Sequence, residues 1–318
     1  MTALKRPRSS GRRVLALVAV GAVGLVACGS DSAGESGDSV LPPASEPALD
    51  ADGRDDPADG GQDGDRDGAT NGVDDRFTLP PDGAVIEVGS YGGFTIREIA
   101  FQSAPSLLVT ADGRLIRPAA IAEVFPGPLL PQHTVASLSD GTSEALVAAV
   151  ADMGLLDTAD YTSESEVQIA DAPTATLVIT TTDGQVRHEA YALGFSGFGD
   201  EPETTPARQR LSDAITALGD PASLVGADRI GPEELWFPDA FQVVAMPLDD
   251  LGGFDPAPTV VPWPDGAGVE LAELTECTEI SRDQIGSLLD EATQLTFFTD
   301  GDQTFQLLAR PAYPGRTC

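Results

Sequence analysis

The distribution of apolar and polar residues beyond position 77 predicts a succession of β-hairpins. Three pairs of apolar, β-branched runs are each separated by a short turn containing Asp-Gly, namely 106–110 with 115–118, 174–182 with 185–193, and 295–299 with 303–309. An Asp-Gly turn between two such runs is a strong sign of a hairpin, because glycine tolerates a positive φ. Further strands are expected at 84–99, with a bend at Gly92-Gly93, at 241–246, and more weakly at 260–261 and 269–271.

Three other stretches have the apolar spacing that is typical of an amphipathic helix. The first covers about 143–153, with Thr142 or Ser143 as the expected cap. The second begins at Thr205-Pro206, with the threonine as N-cap, and ends at Gly219. The third begins with the capping box Ser281-Arg282-Asp283-Gln284 and is expected to continue to about Ala292.

Helices separated by antiparallel hairpins indicate an α+β fold rather than a parallel, doubly wound sheet. Residues 220–234 lack periodicity and contain several prolines and glycines. We therefore expect a joint there, between a subdomain at 77–222 and a smaller one at 233–318. Each half contains a helix followed by a hairpin that turns on Asp-Gly, which raises the hypothesis that the two subdomains are related by duplication.

The N-terminus has the pattern of a secretory signal. A basic segment is followed by an apolar and glycine stretch at 14–27, which is too short to span a bilayer but suits an h-region. The stretch ends in Leu25-Val26-Ala27-Cys28-Gly29, which resembles the lipobox of bacterial lipoproteins. The resemblance implies removal of residues 1–27, a lipid on Cys28, and a location on the extracytoplasmic face of the cell membrane. An ordinary secretory signal and a short membrane anchor are the alternatives.

The amino-acid composition limits the kinds of molecule that the protein can bind. Loss of residues 1–27 would leave 13 arginines, no lysine and 51 acidic residues, a formal charge of −38. Such a chain repels phosphate backbones, so nucleic acid is not an expected partner. Residues 28–76 are rich in Gly, Ser, Asp and Pro and poor in large apolar residues, which predicts a disordered acidic tether.

One segment of this tether resembles a calcium-binding loop. Acidic side chains at Asp63, Asp65, Asp67 and Asp74, with Gly68 at the sixth position, have the spacing of an EF-hand loop. However, an aspartate stands where a bidentate glutamate is usual, and no helical pattern flanks the loop. We prefer a solvated acidic spacer, and calcium remains the one cofactor that the sequence suggests.

The cysteines and histidines offer little sign of catalysis. Cys277 and Cys318 are the two cysteines left after lipidation, and in an exported chain such a pair predicts a disulfide. The two histidines, His133 and His188, have no metal-ligand spacing and are interpreted as surface side chains. Gly194-Phe195-Ser196-Gly197-Phe198 departs from the G-x-S-x-G pattern in its last residue. An enzyme is therefore the less favoured hypothesis.

Two apolar loops, 125–131 and 193–199, could instead form a surface that binds a partner. The alternative, which we favour, is that they cover the edge of a sheet. Trp236-Phe237-Pro238 and Trp263-Pro264 are interpreted as core and turn residues of the second half.

Short strings elsewhere resemble those of uncharacterised actinobacterial lipoproteins. They are Phe125-Pro126-Gly127-Pro128, Asp171-Ala172-Pro173-Thr174, and the ending from Leu308 to Gly315 before Cys318. The resemblance brings no activity with it. We therefore expect a non-enzymatic, lipid-anchored module that binds an envelope protein or a small molecule. A secreted hydrolase with an unrecognised site and a calcium-binding or cell-wall spacer protein are the alternatives.

Overall fold

The computed structural model describes residues 76–96, 100–120, 124–162, 170–195 and 205–318. The predicted α+β fold is confirmed: two sheets, built mainly from antiparallel strands, are accompanied by a few helices. The tether and the signal lie outside the described residues, apart from Arg76. No helix in the described part of the chain is both long enough and apolar enough to cross a membrane.

The first sheet contains seven strands in the order β6-β5-β1-β2-β3-β4-β7, and all of its neighbouring strands are antiparallel. The strands are β1 (Ala84–Gly92), β2 (Leu107–Thr110), β3 (Arg114–Pro118), β4 (His133–Ser137), β5 (Pro173–Thr181), β6 (Gly184–Tyr191) and β7 (Glu234–Leu235). Two predicted hairpins, β2–β3 and β5–β6, are confirmed. The expected bend at the end of β1 is also present, because Gly92 and Gly93 both have positive φ.

The helices of this half are α1 (Thr142–Asp152), α2 (Pro206–Gly219) and α3 (Pro221–Val225). The predicted α2 is confirmed with its cap, since the side chain of Thr205 accepts a hydrogen bond from the Arg208 backbone N–H. The cap predicted for α1 is wrong. Gly141 is its N-cap, and Ser143 lies within the first turn, where its hydroxyl donates to the Thr110 carbonyl at 2.9 Å.

The second sheet contains five strands in the order β10-β8-β12-β11-β9. These are β8 (Ala240–Leu248), β9 (Thr259–Pro262), β10 (Thr278–Ser281), β11 (Thr296–Asp300) and β12 (Gln303–Pro311), and α4 (Arg282–Ile285) follows β10. The predicted β11–β12 hairpin is confirmed, whereas the parallel pairing of β9 with β11 was not anticipated.

Two predictions for the second half are wrong. The capping box of α4 is present, but the helix ends at Ile285 instead of Ala292, because Gly286 has φ +59° and ψ −137°, outside the helical region. The weak strand expected at 269–271 is absent, and a short 3₁₀ turn occupies Leu271–Glu273.

Each sheet has its own apolar core, but chain segments cross between them. The first core combines the inner faces of β1, β2 and β5 with Leu146, Val150 and Leu211 from the helices. The second core is rich in aromatic residues from the second sheet, and it also includes Leu129 and Leu130 from the loop before β4. Conversely, β7, which comes just before the strands of the second sheet in the chain, pairs with β4 of the first sheet. The crossing segments meet where the candidate site lies.

Candidate functional site

His188 is a buried structural side chain, so its interpretation as a surface residue is wrong. On β6 it is fully buried, with Nε2 2.8 Å from the Leu155 carbonyl and Nδ1 2.6 Å from the Tyr161 hydroxyl. A carbonyl oxygen only accepts, so Nε2 carries the proton and Nδ1 accepts from the tyrosine. Burial lowers the pKa of His188, against a smaller opposing effect of the carbonyl.

His133 is also buried, at 2% exposure, and the surface interpretation is wrong for it as well. Its Nδ1 lies 3.1 Å from the Pro131 carbonyl, and its Nε2 lies 3.2 Å from the hydroxyl of Tyr313. By the same reasoning Nδ1 is the donor and Nε2 accepts from the tyrosine. Burial lowers the pKa of this imidazole too.

The partners of the two rings bear on the hydrolase hypothesis. Each imidazole has one nitrogen on a backbone carbonyl and the other on a tyrosine hydroxyl. A general base needs an imidazole nitrogen that can take a proton from a nucleophile or water. In each ring the nitrogen that could take a proton already accepts from a buried tyrosine hydroxyl, so neither ring presents it to a serine or cysteine in the described part of the chain.

The remaining predicted site residues fall into two groups. Cys277 and Cys318 form a disulfide with a Cα–Cα distance of 5.3 Å. Outside the described residues lie Cys28 and the calcium candidates Asp63, Asp65, Asp67 and Asp74. Within the described ranges, no cluster of three or more His, Cys, Asp or Glu side chains could hold a metal ion.

The loop at 125–131 both covers a core and borders a pocket. Leu129 and Leu130 are buried in the second core, which agrees with the covering role. The Leu129 backbone N–H donates to the Ala292 carbonyl at 2.9 Å and fixes the loop against the second half. Phe125, by contrast, is 67% exposed. In the other loop, Phe195 is 53% exposed, and residues 196–199 lie outside the described part of the chain.

A pocket opens beside the 125–131 loop, where the chain crosses between the two sheets; we call it the junction pocket. Its walls are prolines, aromatic rings, leucines and a few polar side chains. The lining residues are Pro128, Leu130, Pro131, Gln132, His133, Leu235, Trp236, Phe237, Pro238, Asp290 and Pro311. Its volume of about 90 Å³ exceeds the ~10–15 Å³ that one water needs but is far below the ~300 Å³ of a small-molecule site. It therefore suits one or two side groups of a larger ligand.

Arg282 organises one side of the junction pocket. Its Nε donates to the Pro238 carbonyl at 2.7 Å, and its two terminal nitrogens bind both oxygens of Asp290. Its guanidinium also lies 5.6 Å from the centre of the Phe237 ring, within the range of a cation–π contact. One arginine thus holds a carboxylate, a backbone turn and an exposed aromatic ring in fixed relation.

Trp236 organises the other side. Its backbone N–H donates to the His133 carbonyl at 2.9 Å, and its ring stacks on Tyr313 with centroids 5.8 Å apart and planes at 25°. His133 meets both rings edge-on. Nearby, the Arg117–Glu233 ion pair and the hydroxyl of Thr134, which donates to Glu233, support the β4–β7 pairing.

The sequence interpretation of Trp236-Phe237-Pro238 as core and turn is wrong in part. Pro238 is buried, but Trp236 is only half-buried and Phe237 is 61% exposed. Two signals could have indicated the site: proline and aromatic residues recur in both crossing segments, and pockets favour joints between domains. Asp290 carried no such signal, because acidic residues are abundant throughout the chain.

Comparisons with known proteins do not identify a relative of this chain. No protein-family model, curated protein or solved structure gives a significant match to the chain.

Proposed function

We propose that the protein is a lipid-anchored, extracytoplasmic binding module that engages an envelope ligand through the junction pocket. The pocket supports binding because it combines an exposed aromatic ring, Phe237, with a carboxylate and a half-buried tryptophan, all held by local contacts. Exposed aromatic side chains beside a few fixed polar groups are typical of recognition sites.

The engaged histidines support a non-enzymatic role in the same region. His133 lines the junction pocket, yet its two nitrogens hold Pro131 and Tyr313 in place. The imidazole therefore fixes two neighbours of the pocket in place. One observation carries the proposal: the pocket is partly aromatic, and both ring nitrogens of its one histidine are hydrogen-bonded to neighbouring residues.

The residues around Cys28 support the lipid anchor, and substitution of Cys28 tests it. We expect Cys28→Ser to abolish incorporation of labelled fatty acid and to leave the protein either unprocessed or released into the medium. Ser32→Ala is the matched control, because it changes a nearby polar residue and spares the lipobox. Unchanged processing and membrane retention of Cys28→Ser would contradict this part of the proposal.

The binding role is tested by site-specific crosslinking in intact cells. A photoreactive phenylalanine derivative is placed at position 237 of the full chain, and the same residue at position 254 is the control, since Phe254 is 38% exposed and is absent from the pocket lining. We expect a discrete adduct from position 237 only. Equal adduct patterns from both positions, or none from 237, would contradict a role for the junction pocket.

A further inference from the structure

The chemistry of the junction pocket narrows the ligand beyond a general binding role. Four prolines, Pro128, Pro131, Pro238 and Pro311, contribute to its lining. A proline has no backbone N–H, so these segments offer fewer hydrogen-bond donors than other backbone would. What they offer is rigid apolar ring surface that loses little conformational entropy when a ligand packs on it.

Two lining side chains keep a hydrogen-bond donor for a ligand: the exposed amide of Gln132 and the indole N–H of Trp236. The indole N–H of Trp263 donates to the Val269 carbonyl at 2.9 Å, whereas that of Trp236 has no acceptor among the described residues. Since no buried side-chain nitrogen or oxygen in the described chain lacks a partner, the Trp236 N–H must reach solvent. An accessible indole N–H beside apolar walls can donate to a carbonyl of a bound chain.

The acidity of the whole chain favours a cation next to the apolar portion of the ligand, since at the pocket itself the charge of Asp290 is balanced by Arg282. Asp290 is its acidic lining residue, with a side chain that is 22% exposed. Arg282 binds both of its oxygens, but a carboxylate has about four lone-pair sites, so it can accept further hydrogen bonds. The strongly negative net charge of the chain adds a long-range attraction for basic ligands.

Resting on the proposed function above, we propose that the junction pocket binds an extended, proline-containing peptide segment with an adjacent basic residue. In this complex a proline ring of the peptide packs against Trp236 and the proline walls. The Trp236 N–H donates to a peptide carbonyl, and the basic side chain lies near Asp290. Extended polyproline segments suit such grooves because they are already ordered before binding and expose their carbonyls.

A neutral glycan of the cell wall is the competing ligand class, and the pocket fits it less well. Sugar hydroxyls each need hydrogen-bond partners when they are desolvated. Of the polar lining residues, His133 has both ring nitrogens engaged, and Asp290 has only the lone pairs that Arg282 leaves free. With the exposed amide of Gln132 and the Trp236 N–H, that is a small set of polar groups for the several hydroxyls of a sugar.

The experiment titrates the purified full-length protein in detergent with defined probes. The first probe is a synthetic ten-residue peptide that carries four prolines and one arginine. Its controls replace the prolines with alanine, or the arginine with glutamate, and an oligosaccharide of N-acetylglucosamine is the glycan probe. Calorimetry reports affinity, and tryptophan fluorescence reports Trp236, because Trp263 is buried and already bonded.

We expect saturable binding of the proline peptide and a loss of at least about 10-fold in affinity when its prolines become alanine. The arginine-to-glutamate peptide should bind about 3-fold or more weakly at low salt, with the difference reduced at high salt. Trp236→Phe and Phe237→Ala should each weaken binding by about 10-fold. Phe254→Ala, at an exposed aromatic outside the pocket lining, should leave it unchanged.

The possible failures separate this inference from the proposed function. If the oligosaccharide binds through Trp236 and the peptide does not, the peptide inference is overturned and the binding module stands. The peptide inference is likewise overturned if the proline and alanine peptides bind equally, or if neither peptide binds while position 237 still crosslinks in cells. If no probe binds and position 237 gives no specific adduct, both are overturned.

Discussion

The two histidine–tyrosine pairs have the same chemistry in two different places. In each, a buried imidazole donates to a backbone carbonyl and accepts from a tyrosine hydroxyl. The proton lies on Nε2 of His188 and on Nδ1 of His133, because the carbonyl faces the opposite nitrogen in the two cases. Residue type and hydrogen-bonding pattern are therefore not what distinguishes the two pairs.

What differs is the part of the fold that each pair joins. The pair of His188 and Tyr161 lies within the first half, next to the buried Arg208, whose guanidinium donates to the Tyr161 carbonyl at 2.9 Å. The pair of His133 and Tyr313 connects β4 of the first sheet with the segment after β12 of the second, and it borders the junction pocket. The first pair lies within one half of the fold, whereas the second joins the two sheets beside the junction pocket.

The C-terminal segment makes the second pair dependent on contacts that the first does not share. Arg316 binds both oxygens of Glu87 on β1, and Cys318 is joined to Cys277 beside β10. Tyr313 lies on the same segment, is 2% exposed, and has a pKa that burial raises. Loosening the segment should therefore disturb His133 and spare His188.

The largest predicted effect comes from removing the disulfide. We expect the double substitution Cys277→Ser with Cys318→Ser to lower the free energy of unfolding by about 4 kcal/mol, because the closed loop no longer restricts the unfolded chain. Urea denaturation measures the loss. Histidine NMR should show a changed His133 imidazole signal and an unchanged His188 signal.

Reduction provides the control for this prediction. A thiol reductant should destabilise the wild-type protein by a similar amount and leave the double variant unaffected. Equal changes in both imidazole signals would show that the C-terminal segment does not act selectively on the His133 pair.

A smaller effect is expected from removing one hydroxyl from each pair. Tyr161→Phe leaves Nδ1 of His188 without a donor in a fully buried place, so we expect a cost of about 2 kcal/mol. Although Tyr313 is more buried than Tyr161, at 2% against 8% exposure, Tyr313→Phe should cost only about 1 kcal/mol, because His133 lines the junction pocket and water from there can hydrate Nε2 once the hydroxyl is gone. Urea denaturation of the two variants gives the comparison directly.

Tyr91→Phe is a suitable control, since it removes a tyrosine hydroxyl from a side chain that is 47% exposed. It should change stability by less than either buried variant. If Tyr313→Phe lowered the free energy of unfolding more than Tyr161→Phe does, then His133 and not His188 would be the less hydrated imidazole.

The hairpins could be predicted from sequence because their signals are local. Asp183-Gly184 supplies the turn, and the flanking runs are rich in apolar and β-branched residues, so β5 and β6 appear almost at their observed bounds. The same holds for α2, whose cap and first proline stand side by side at Thr205-Pro206. Each of these features depends on residues that are neighbours in the chain.

The environment of the histidines depends on contacts that are distant in sequence. His188 had a partial signal, since Val186 and Ala190 share its face of β6 and alternate with the charged Arg187 and Glu189. His133 had none, because its partner Tyr313 is 180 residues away. The junction pocket also depends on contacts that are distant in sequence, because its walls come from segments on opposite sides of the predicted joint.

The last predicted effect is the pH dependence that each histidine adds to stability, which is seen only as a difference between variants. Burial lowers the pKa of both imidazoles below the ordinary 6.5 that the unfolded chain would show. Between the folded and unfolded values the unfolded state binds more protons, so this contribution to stability is complete above about pH 6.5. It is lost as the pH falls below that value, at up to about 1.4 kcal/mol per pH unit for each histidine.

Many carboxylates titrate in the same range, so the test compares variants and not absolute curves. The free energy of unfolding is measured from pH 7.5 to 5.5 for the wild type, His188→Gln and His133→Gln. Each variant should show a shallower fall than the wild type below pH 6.5, because glutamine does not titrate, even if its stability at pH 7.5 is lower. Parallel curves for one variant would mean that its histidine keeps an ordinary pKa in the folded protein. Parallel curves for His133→Gln alone would mean that water in the junction pocket solvates the imidazolium, which would place the difference between the two pairs in their hydration.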